Sequence, residues 1–531
     1  MMPMDIGEIA DAVSGNVVSG AVDPHGDGLH DAAVVTSVTT DSREAKPGSL
    51  FVAIPGARVD GHDFVAVAAG NGAVAALVEH TVPGSDIPQI VVGDSVKALG
   101  VLARHNIDRR RELPEPFTII GITGSVGKTT TKDLLHSLLT RLGRTVSPVG
   151  SFNNEIGLPL TALKVHASTR FFTAEMGASH IGDIDYLTAI APPDISIALI
   201  VGVAHLGEFG SVDNIAIAKS EIIRNLLPGG ISVLNADDPR VSAMRRYSPG
   251  KILWFGEHGD HLPDGSCMNM YATDLNVDSM DHPTFLMHVR ADAHATAYAT
   301  TNAEGDSQPG DEQTQQVTLG IRGSHNVMNA LAASAVAHEL GLPLTEIADV
   351  LRKQRHISPH RMAVSNIAES GFAFTLIDDS FNANPNSVTA GVRSLAEWGA
   401  HQDSRPFRVA VLGAMLELGA DERRLHADMG ALCSRLGIDQ LIAVGGNDEL
   451  DSLARDIVAG ADAASGTTAS NDVSAHAIES RFAHDIDEAE AMVAEASSHH
   501  PHTVVLLKGS HASGLSALAD RWASSQTDRE S

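Results

Sequence analysis

The stretch Ile119-Ile120-Gly121-Ile122-Thr123-Gly124-Ser125-Val126-Gly127-Lys128-Thr129-Thr130 decides the reading of this chain. The apolar run from Phe117 to Ile122 predicts a buried strand and the glycines a tight turn. Leu134, Leu135, Leu138, Leu139 and Leu142 mark one face of a following helix. In a strand–loop–helix of this kind, backbone N–H groups point inward and the helix N-terminus favours negative charge, which suits phosphate. Lys128 can neutralise β- and γ-phosphates, and the Thr129 hydroxyl can serve Mg²⁺. The longer phosphate-loop pattern would place glycine at Ile122. The shorter form Thr-Gly-x-x-Gly-Lys-Thr is intact, so residues 123–130 are expected to hold a nucleoside triphosphate.

The chain has 531 residues, too many for one core, and about three domains is the natural expectation. It carries 66 acidic against 37 basic residues, a net charge of −29, which argues against nucleic acid or an anionic membrane as the main partner. Anionic substrates remain open, because a local Lys/Arg/Mg²⁺ site can overcome the global sign. Cys267 and Cys433 are the only cysteines, so a disulfide scaffold is not expected and a reducing cytoplasm fits. Asp5, Glu8 and Asp11 leave no basic, apolar signal region at the start, and no run of about eighteen apolar residues predicts a membrane span.

Strands at 117–123, 171–176, 194–203, 231–235 and 251–255 alternate with helices, the pattern of a central doubly wound, mostly parallel sheet. A further set at 374–379, 408–414, 441–445 and 503–508 predicts a smaller Rossmann-like unit. The fold class expected is therefore α/β in three domains: a small N-terminal α/β domain (1–113), the central phosphate-loop domain (114–355) and the C-terminal domain (356–531). Leu113-Pro114-Glu115-Pro116 supplies the first break. Residues 291–316 and 459–475 lack an apolar pattern and are expected to be long loops.

Downstream, Glu175 ends one strand, His205 follows another, and Lys219 sits among apolar helix residues. Ligands of α/β sheets gather at such strand ends, and a carboxylate with an imidazole suits a divalent cation near phosphates. Taken singly, a strand-end histidine is an ordinary hydrogen-bonding group and Lys219 a snorkelling helix residue.

The order of motifs is more telling than any one of them. After the loop come Phe152-Asn153-Asn154-Glu155-Ile156-Gly157-Leu158-Pro159, Ala174-Glu175-Met176-Gly177-Ala178, Ala204-His205-Leu206, Ala218-Lys219-Ser220-Glu221-Ile222 and Leu234-Asn235-Ala236-Asp237-Asp238-Pro239. His325-Asn326-Val327-Met328-Asn329, His360-Arg361-Met362, Asp378-Asp379-Ser380-Phe381-Asn382-Ala383-Asn384-Pro385-Asn386-Ser387, Met415-Leu416-Glu417-Leu418-Gly419 and Leu507-Lys508-Gly509-Ser510 follow. This series resembles the Mur ligase family over about residues 35–515. The segments from Asp378 and Met415 resemble the branch that adds D-alanyl-D-alanine to UDP-N-acetylmuramoyl-tripeptide.

The resemblance implies a division of labour. Ser42, Arg43 and His62 would touch the uracil or diphosphate end of the nucleotide sugar; without the resemblance they read as a turn and a surface arginine. Lys128 would contact the β/γ-phosphates of ATP. Thr129 and Glu175 would hold one Mg²⁺, and His205 and Lys219 a second, Lys219 as its carbamate. Asn329, Arg361 and Asp379 would contact ATP, with Asn326 and His325 in the same motif as Asn329. Asn153 and Asn154 would line the muramoyl-peptide channel. Asn382, Asn384 and Ser387 would lie near ATP or the incoming dipeptide, and Lys508 would contact the dipeptide or its carboxylate. Two residues depart from the family: His360 stands where glycine is common, and His511 where the branch often has arginine. The implied chemistry is activation of a carboxylate as its acyl phosphate, followed by attack of the dipeptide amine, in a cytoplasmic enzyme for which a monomer suffices. Other amide ligases of the same fold, a phosphate-loop ATPase or phosphotransferase, and a nucleotide-binding regulator remain as alternatives.

Overall fold

A computed structural model describes residues 1–18, 33–56, 59–257, 268–278, 281–290, 312–355, 357–369, 371–399, 404–468 and 478–530. Its largest sheet has nine strands, in the order Glu312–Thr318, Pro283–Arg290, Met270–Val277, Ile252–Gly256, Ile231–Asn235, Ile195–Ala198, Thr118–Thr123, Phe171–Glu175 and Thr145–Val146. The last seven run parallel, and the first two extend the sheet antiparallel. Parallel strands covered on both faces need apolar residues at every position. Ile119 accordingly enters one core while Ile120 and Ile122 enter the other.

The two faces have different covers. Leu134, Leu135, Leu138 and Leu139 of the phosphate-loop helix (Lys128–Leu139) pack with Val327 and Leu331 of the helix Asn326–Glu339. On the opposite face Phe172, Ile184 and Ile222 share one core with Met4, Ile9, Leu99 and Leu102 of the N-terminal region. That region forms a five-stranded sheet, Asn16–Val18, Gln89–Val91, Ala73–Val78, Ser49–Val52 and Ser37–Thr39, antiparallel only at its first pair. Its helix Ser95–Arg111 reaches the central unit, where the buried Arg110 donates to the carbonyls of Thr169, Glu115 and Pro116 and pins the proline break.

The C-terminal sheet has six strands, in the order Ala363–Glu369, Phe372–Asp378, Thr503–Lys508, Phe407–Gly413, Gln440–Val444 and Glu479–Ala483, antiparallel only at its first pair. The fold is thus the expected α/β architecture, with three differences in detail. The strand expected over 194–203 stops at Ala198. Beyond it the backbone is taken by other partners: Ile200 O accepts from Ser125 N, while Val201 N donates to Asp238 and Gly202 N to Ser125 Oγ. The loop expected at 291–316 gives way to a strand at Glu312, where the Tyr271 hydroxyl donates to Glu312 at 2.5 Å. This is an edge strand with one wet face, which is why its pattern is polar; 291–311 lie outside the described residues. The loop expected at 459–475 is helical to Thr468, as part of Asp448–Thr468. Its small residues permit close helix packing: a Cβ added at Gly460 would lie 1.9 Å from Ala427 O, on the helix Glu422–Arg435. Residues 469–475 lie outside the described set.

The C-terminal unit docks against the central one at several points. One is Asp281, in a turn with φ of 63°, whose buried carboxylate accepts from Ser394 Oγ. Burial pushes its pKa up to about 6, opposed by the Ser394 hydroxyl and Arg322 and reinforced by Glu397 and Asp278. The folded chain therefore binds this proton more tightly than the unfolded chain. The associated stability is full below about pH 4 and lost as pH rises through about 6. Asp281→Asn, which tolerates positive φ, is expected to raise the unfolding free energy at pH 7.5 by about 2 kcal/mol, with little gain at pH 4. Urea unfolding at the two pH values checks this, and equal changes at both would contradict it.

Candidate active site

Two cavities meet at the C-terminal ends of the central strands. The larger, about 1010 Å³, lies between the phosphate loop and the C-terminal unit. The smaller, about 450 Å³, is lined by Asn154, Gly177, His180, Asp183 and Lys219 among others. Ser125, Lys128, Asn153, Ala204 and His205 line both.

The loop between them is built for close approach. Gly127 has φ of 84°, and a Cβ there would sit 2.3 Å from Asn329 Oδ1. No side chain caps the helix that starts at Lys128, so its first N–H groups are left for a ligand. Lys128 Nζ donates to Gly124 O at 2.8 Å. Burial lowers its pKa, with Glu175 acting against the shift and Arg361 adding to it. Thr123 is fully buried and donates to Met176 O at 2.9 Å, so its side chain joins two strand ends instead of facing the cavity.

Glu175 Oε1 accepts from Ser151 Oγ at 2.9 Å and from Asn153 Nδ2 at 2.8 Å. Its Oε2 is buried with no hydrogen-bond partner among the described residues. An orphaned carboxylate oxygen beside a hydroxyl-bearing phosphate loop is the environment a hard cation fits. No cluster of three or more His, Cys, Asp or Glu suited to a metal occurs among the described residues. A cation here would therefore draw ligands from Glu175, from hydroxyls such as Thr129, and from phosphate oxygens.

His205 has φ of 56° and contacts Glu417 through Nδ1. A carboxylate only accepts, so Nδ1 carries the hydrogen, and in the neutral ring Nε2 keeps its lone pair for a ligand. Lys219, on the helix Val212–Arg224, is 4% exposed and makes no hydrogen bond or ion pair among the described residues. Its pKa falls far below the ordinary lysine value, first through burial and then through Lys128.

From the other side of the larger cavity, Arg361 stacks over Phe381 at 4.3 Å, with Nε buried and unpartnered among the described residues. Lys508 is buried and paired with Asp379 at 2.6 Å, and it donates to Asn382 O at 2.7 Å. Its charge is thus already matched within the protein. Asn384 and Ser387 line the cavity while forming the capping box of the helix Pro385–Glu397. Asn329 Nδ2 donates to Asn326 Oδ1 at 2.8 Å, and Asn329 Oδ1 accepts from Thr131 Oγ1 at 3.2 Å, so Asn329 braces the loop as well as lining the cavity. His325 is exposed on the cavity wall, near the same pair of residues, Asp379 and Lys508, and desolvation by the surrounding protein lowers its pKa.

His360 has φ of 58°, in the left-handed region where glycine is easiest, and Asp378 Oδ2 holds its Nδ1 at 2.8 Å. In the N-terminal unit Arg43 is turned to Asp41 in a 2.6 Å ion pair, and Ser42 is buried. His62 accepts from Glu79 N at Nε2 (2.9 Å), holds Asp60 at Nδ1 (2.6 Å) and stacks on His80. Both of its ring nitrogens are therefore engaged within the protein. Ser151, beside the quoted motif that starts at Phe152, escaped the reading of the sequence, and Glu417, quoted within Met415–Gly419, received no site role there; only the fold sets them against Glu175 and His205.

The chain is similar to known proteins along most of its length. The chain matches models described as Mur ligase family, catalytic domain (residues 34–106), Mur ligase middle domain (122–337) and Mur ligase, glutamate ligase domain (360–511). A Mycobacterium tuberculosis protein named UDP-N-acetylmuramoyl-tripeptide–D-alanyl-D-alanine ligase is 37% identical over 98% of each chain. One of the same name from Escherichia coli is 33% identical over 77% of this chain and 81% of its own. Among solved structures, MurF from Acinetobacter baumannii superposes with a TM-score of 0.75 at 29% identity, covering 98% and 99% of the two chains. MurF ligase from Thermotoga maritima in complex with ADP gives 0.69 at 26% identity, covering 93% and 99%.

Proposed function

The chain belongs to the Mur ligase family, and from that premise we propose that it joins D-alanyl-D-alanine to UDP-N-acetylmuramoyl-tripeptide with conversion of ATP to ADP and phosphate, in peptidoglycan precursor synthesis. The observation that carries this reading is the wall shared by the two cavities. Lys128, Asn153 and His205 face both, so a nucleotide on one side and a carboxylate on the other can meet there.

A carboxylate is a poor electrophile. Transfer of the γ-phosphoryl group makes an acyl phosphate, and the dipeptide amine then attacks the carbonyl carbon. The amine loses a proton and phosphate leaves with the C–O electron pair. Phosphoryl transfer needs positioning and positive charge more than covalent help. Lys128 and the uncapped helix N-terminus supply these at the β/γ-phosphates, and Arg361 approaches from the C-terminal unit. Mg²⁺ would be held by Thr129 and Glu175, and a second ion by His205 and carbamylated Lys219; bound there, it would neutralise charge on the transferring oxygens.

In this reading residues 1–113 bind the UDP end through Ser42, Arg43 and His62, residues 114–355 bind ATP, and residues 356–531 close on it. Asn329 and Asp379 serve the nucleotide side, and Asn153 and Asn154 the muramoyl peptide. Asn382, Asn384, Ser387 and Lys508 serve the dipeptide side. No described helix is long and apolar enough to cross a membrane, and we place the enzyme in the cytoplasm as a monomer. The test follows phosphate release and product mass with ATP, Mg²⁺ and UDP-N-acetylmuramoyl-tripeptide. Release that depends on D-alanyl-D-alanine, with one amide per ATP, is expected. Release indifferent to both substrates would overturn the ligase reading, and release with another amine alone would change the dipeptide specificity.

A further inference from the structure

Lys132 and Asp133 have no part in the chemistry above, yet they are among the most heavily engaged charged groups in the fold. Lys132 is fully buried on the phosphate-loop helix. Its Nζ donates to Pro148 O and Gly150 O, each at 2.8 Å, and pairs with Asp133 Oδ1 at 2.8 Å. The other Asp133 oxygen accepts from both the backbone N (2.7 Å) and the Oγ (2.8 Å) of Ser358. Ser358 lies on the connection into the C-terminal unit, three residues before Arg361.

This contact is the middle one of three. Residues 129, 133 and 137 fall at successive four-residue steps on one helix face. Each meets the connection in antiparallel order: Thr129 Oγ1 with Arg361 Nη2 at 3.4 Å, Asp133 with Ser358, and Ser137 Oγ with Gln354 Oε1 at 2.7 Å. The weakest of the three is the Arg361 end, where the guanidinium overhangs the nucleotide cavity with Nε unpartnered among the described residues. The strongest is at Asp133, where a charged acceptor takes two short bonds.

We propose that Asp133 is a positioning residue of the ligase reaction, seating Arg361 over the nucleotide by holding Ser358 on the phosphate-loop helix. Lys132 holds the 148–150 loop through its own bonds to Pro148 O and Gly150 O, so that side of the site does not hang on Asp133. The inference rests on the nucleotide role given to Arg361 above.

The test is a double-mutant cycle on the full-length enzyme with Asp133→Ala and Arg361→Ala, measuring kcat and KM for ATP and for the UDP-tripeptide separately. Each single variant is expected to lower kcat/KM for ATP by about tenfold or more, with the UDP-tripeptide KM little changed. The double variant should be no worse than Arg361→Ala alone. Asp133→Asn keeps an acceptor oxygen and should recover most of the loss. Losses that multiply in the double variant, or an unimpaired Asp133→Ala, would overturn the proposal while leaving Arg361 in place. An unimpaired Arg361→Ala would instead remove the nucleotide role of Arg361 itself. If Asp133→Ala does not fold, Ser358→Ala replaces it in the cycle, with a smaller loss that must again vanish beside Arg361→Ala.

Discussion

Lys128→Ala is expected to lower kcat for D-alanyl-D-alanine-dependent phosphate release by about a thousandfold, while binding of the UDP-tripeptide stays within about twofold. The magnitude follows from removing one preorganised charge at a transferring phosphoryl group, an effect of about 10²–10³ or more in a water-poor site. Lys128 is half-buried between the two cavities and is tethered to Gly124 O, so its ammonium is held in place before any substrate arrives. Burial disfavours that charge and Glu175 favours it; triphosphate oxygens would favour it far more. Lys128→Arg should not restore turnover, because a planar fork cannot take the place of a compact ammonium at the end of a tight loop. Turnover by single-turnover phosphate release and affinity by calorimetry separate the two effects. A loss below tenfold would remove Lys128 from the phosphoryl-transfer step.

The phosphate loop was legible because local chemistry dictates it: glycine at 127 where Asn329 leaves no room for a side chain, lysine at the helix start, and leucines on the buried face. Glu175, His205 and Lys219 were legible as strand-end and helix residues, though their convergence depends on parallel pairing that periodicity alone does not specify. The structure gathers them around the two cavities. What stayed hidden is what other units bring. Glu417 reaches His205 across 212 residues, and Ser358 reaches Asp133 across 225. Such contacts have no spacing rule. The two segments expected to be loops show a different limit. Alanine, glycine and serine around Gly460 lack an apolar stripe because the packed helices approach too closely there to need large side chains. The polar run from Glu312 is an edge strand with a wet face. In the described part of each segment a missing apolar signal meant close packing or an edge, and the backbone is a helix or a strand.

Lys219→Ala is expected to lower ligase turnover by about a thousandfold and, unlike Lys128→Ala, to be partly restored by formate or acetate. A lysine that is 4% exposed, lacks a partner among the described residues and faces Lys128 is an unfavourable place for a second cation. Its neutral amine can instead attack CO₂. The nitrogen lone pair forms the N–C bond, one C=O pair moves to oxygen, and the amine proton leaves to solvent, giving an anionic carbamate. This reverses the sign of the group, so two repelling amines become an ion pair and His205 Nε2 gains an oxygen-donor neighbour. Small carboxylates can fill the space left by alanine because they carry the same charge and oxygen geometry. Lys219→Arg should be inactive and unrescued, since a guanidinium remains charged and fills the cavity. Carbon-13 NMR of enzyme equilibrated with labelled bicarbonate gives a readout independent of activity: a carbamate signal in the parent protein, absent in Lys219→Ala. Full unaided turnover of Lys219→Ala, or a carbamate signal that survives the substitution, would exclude this role for Lys219.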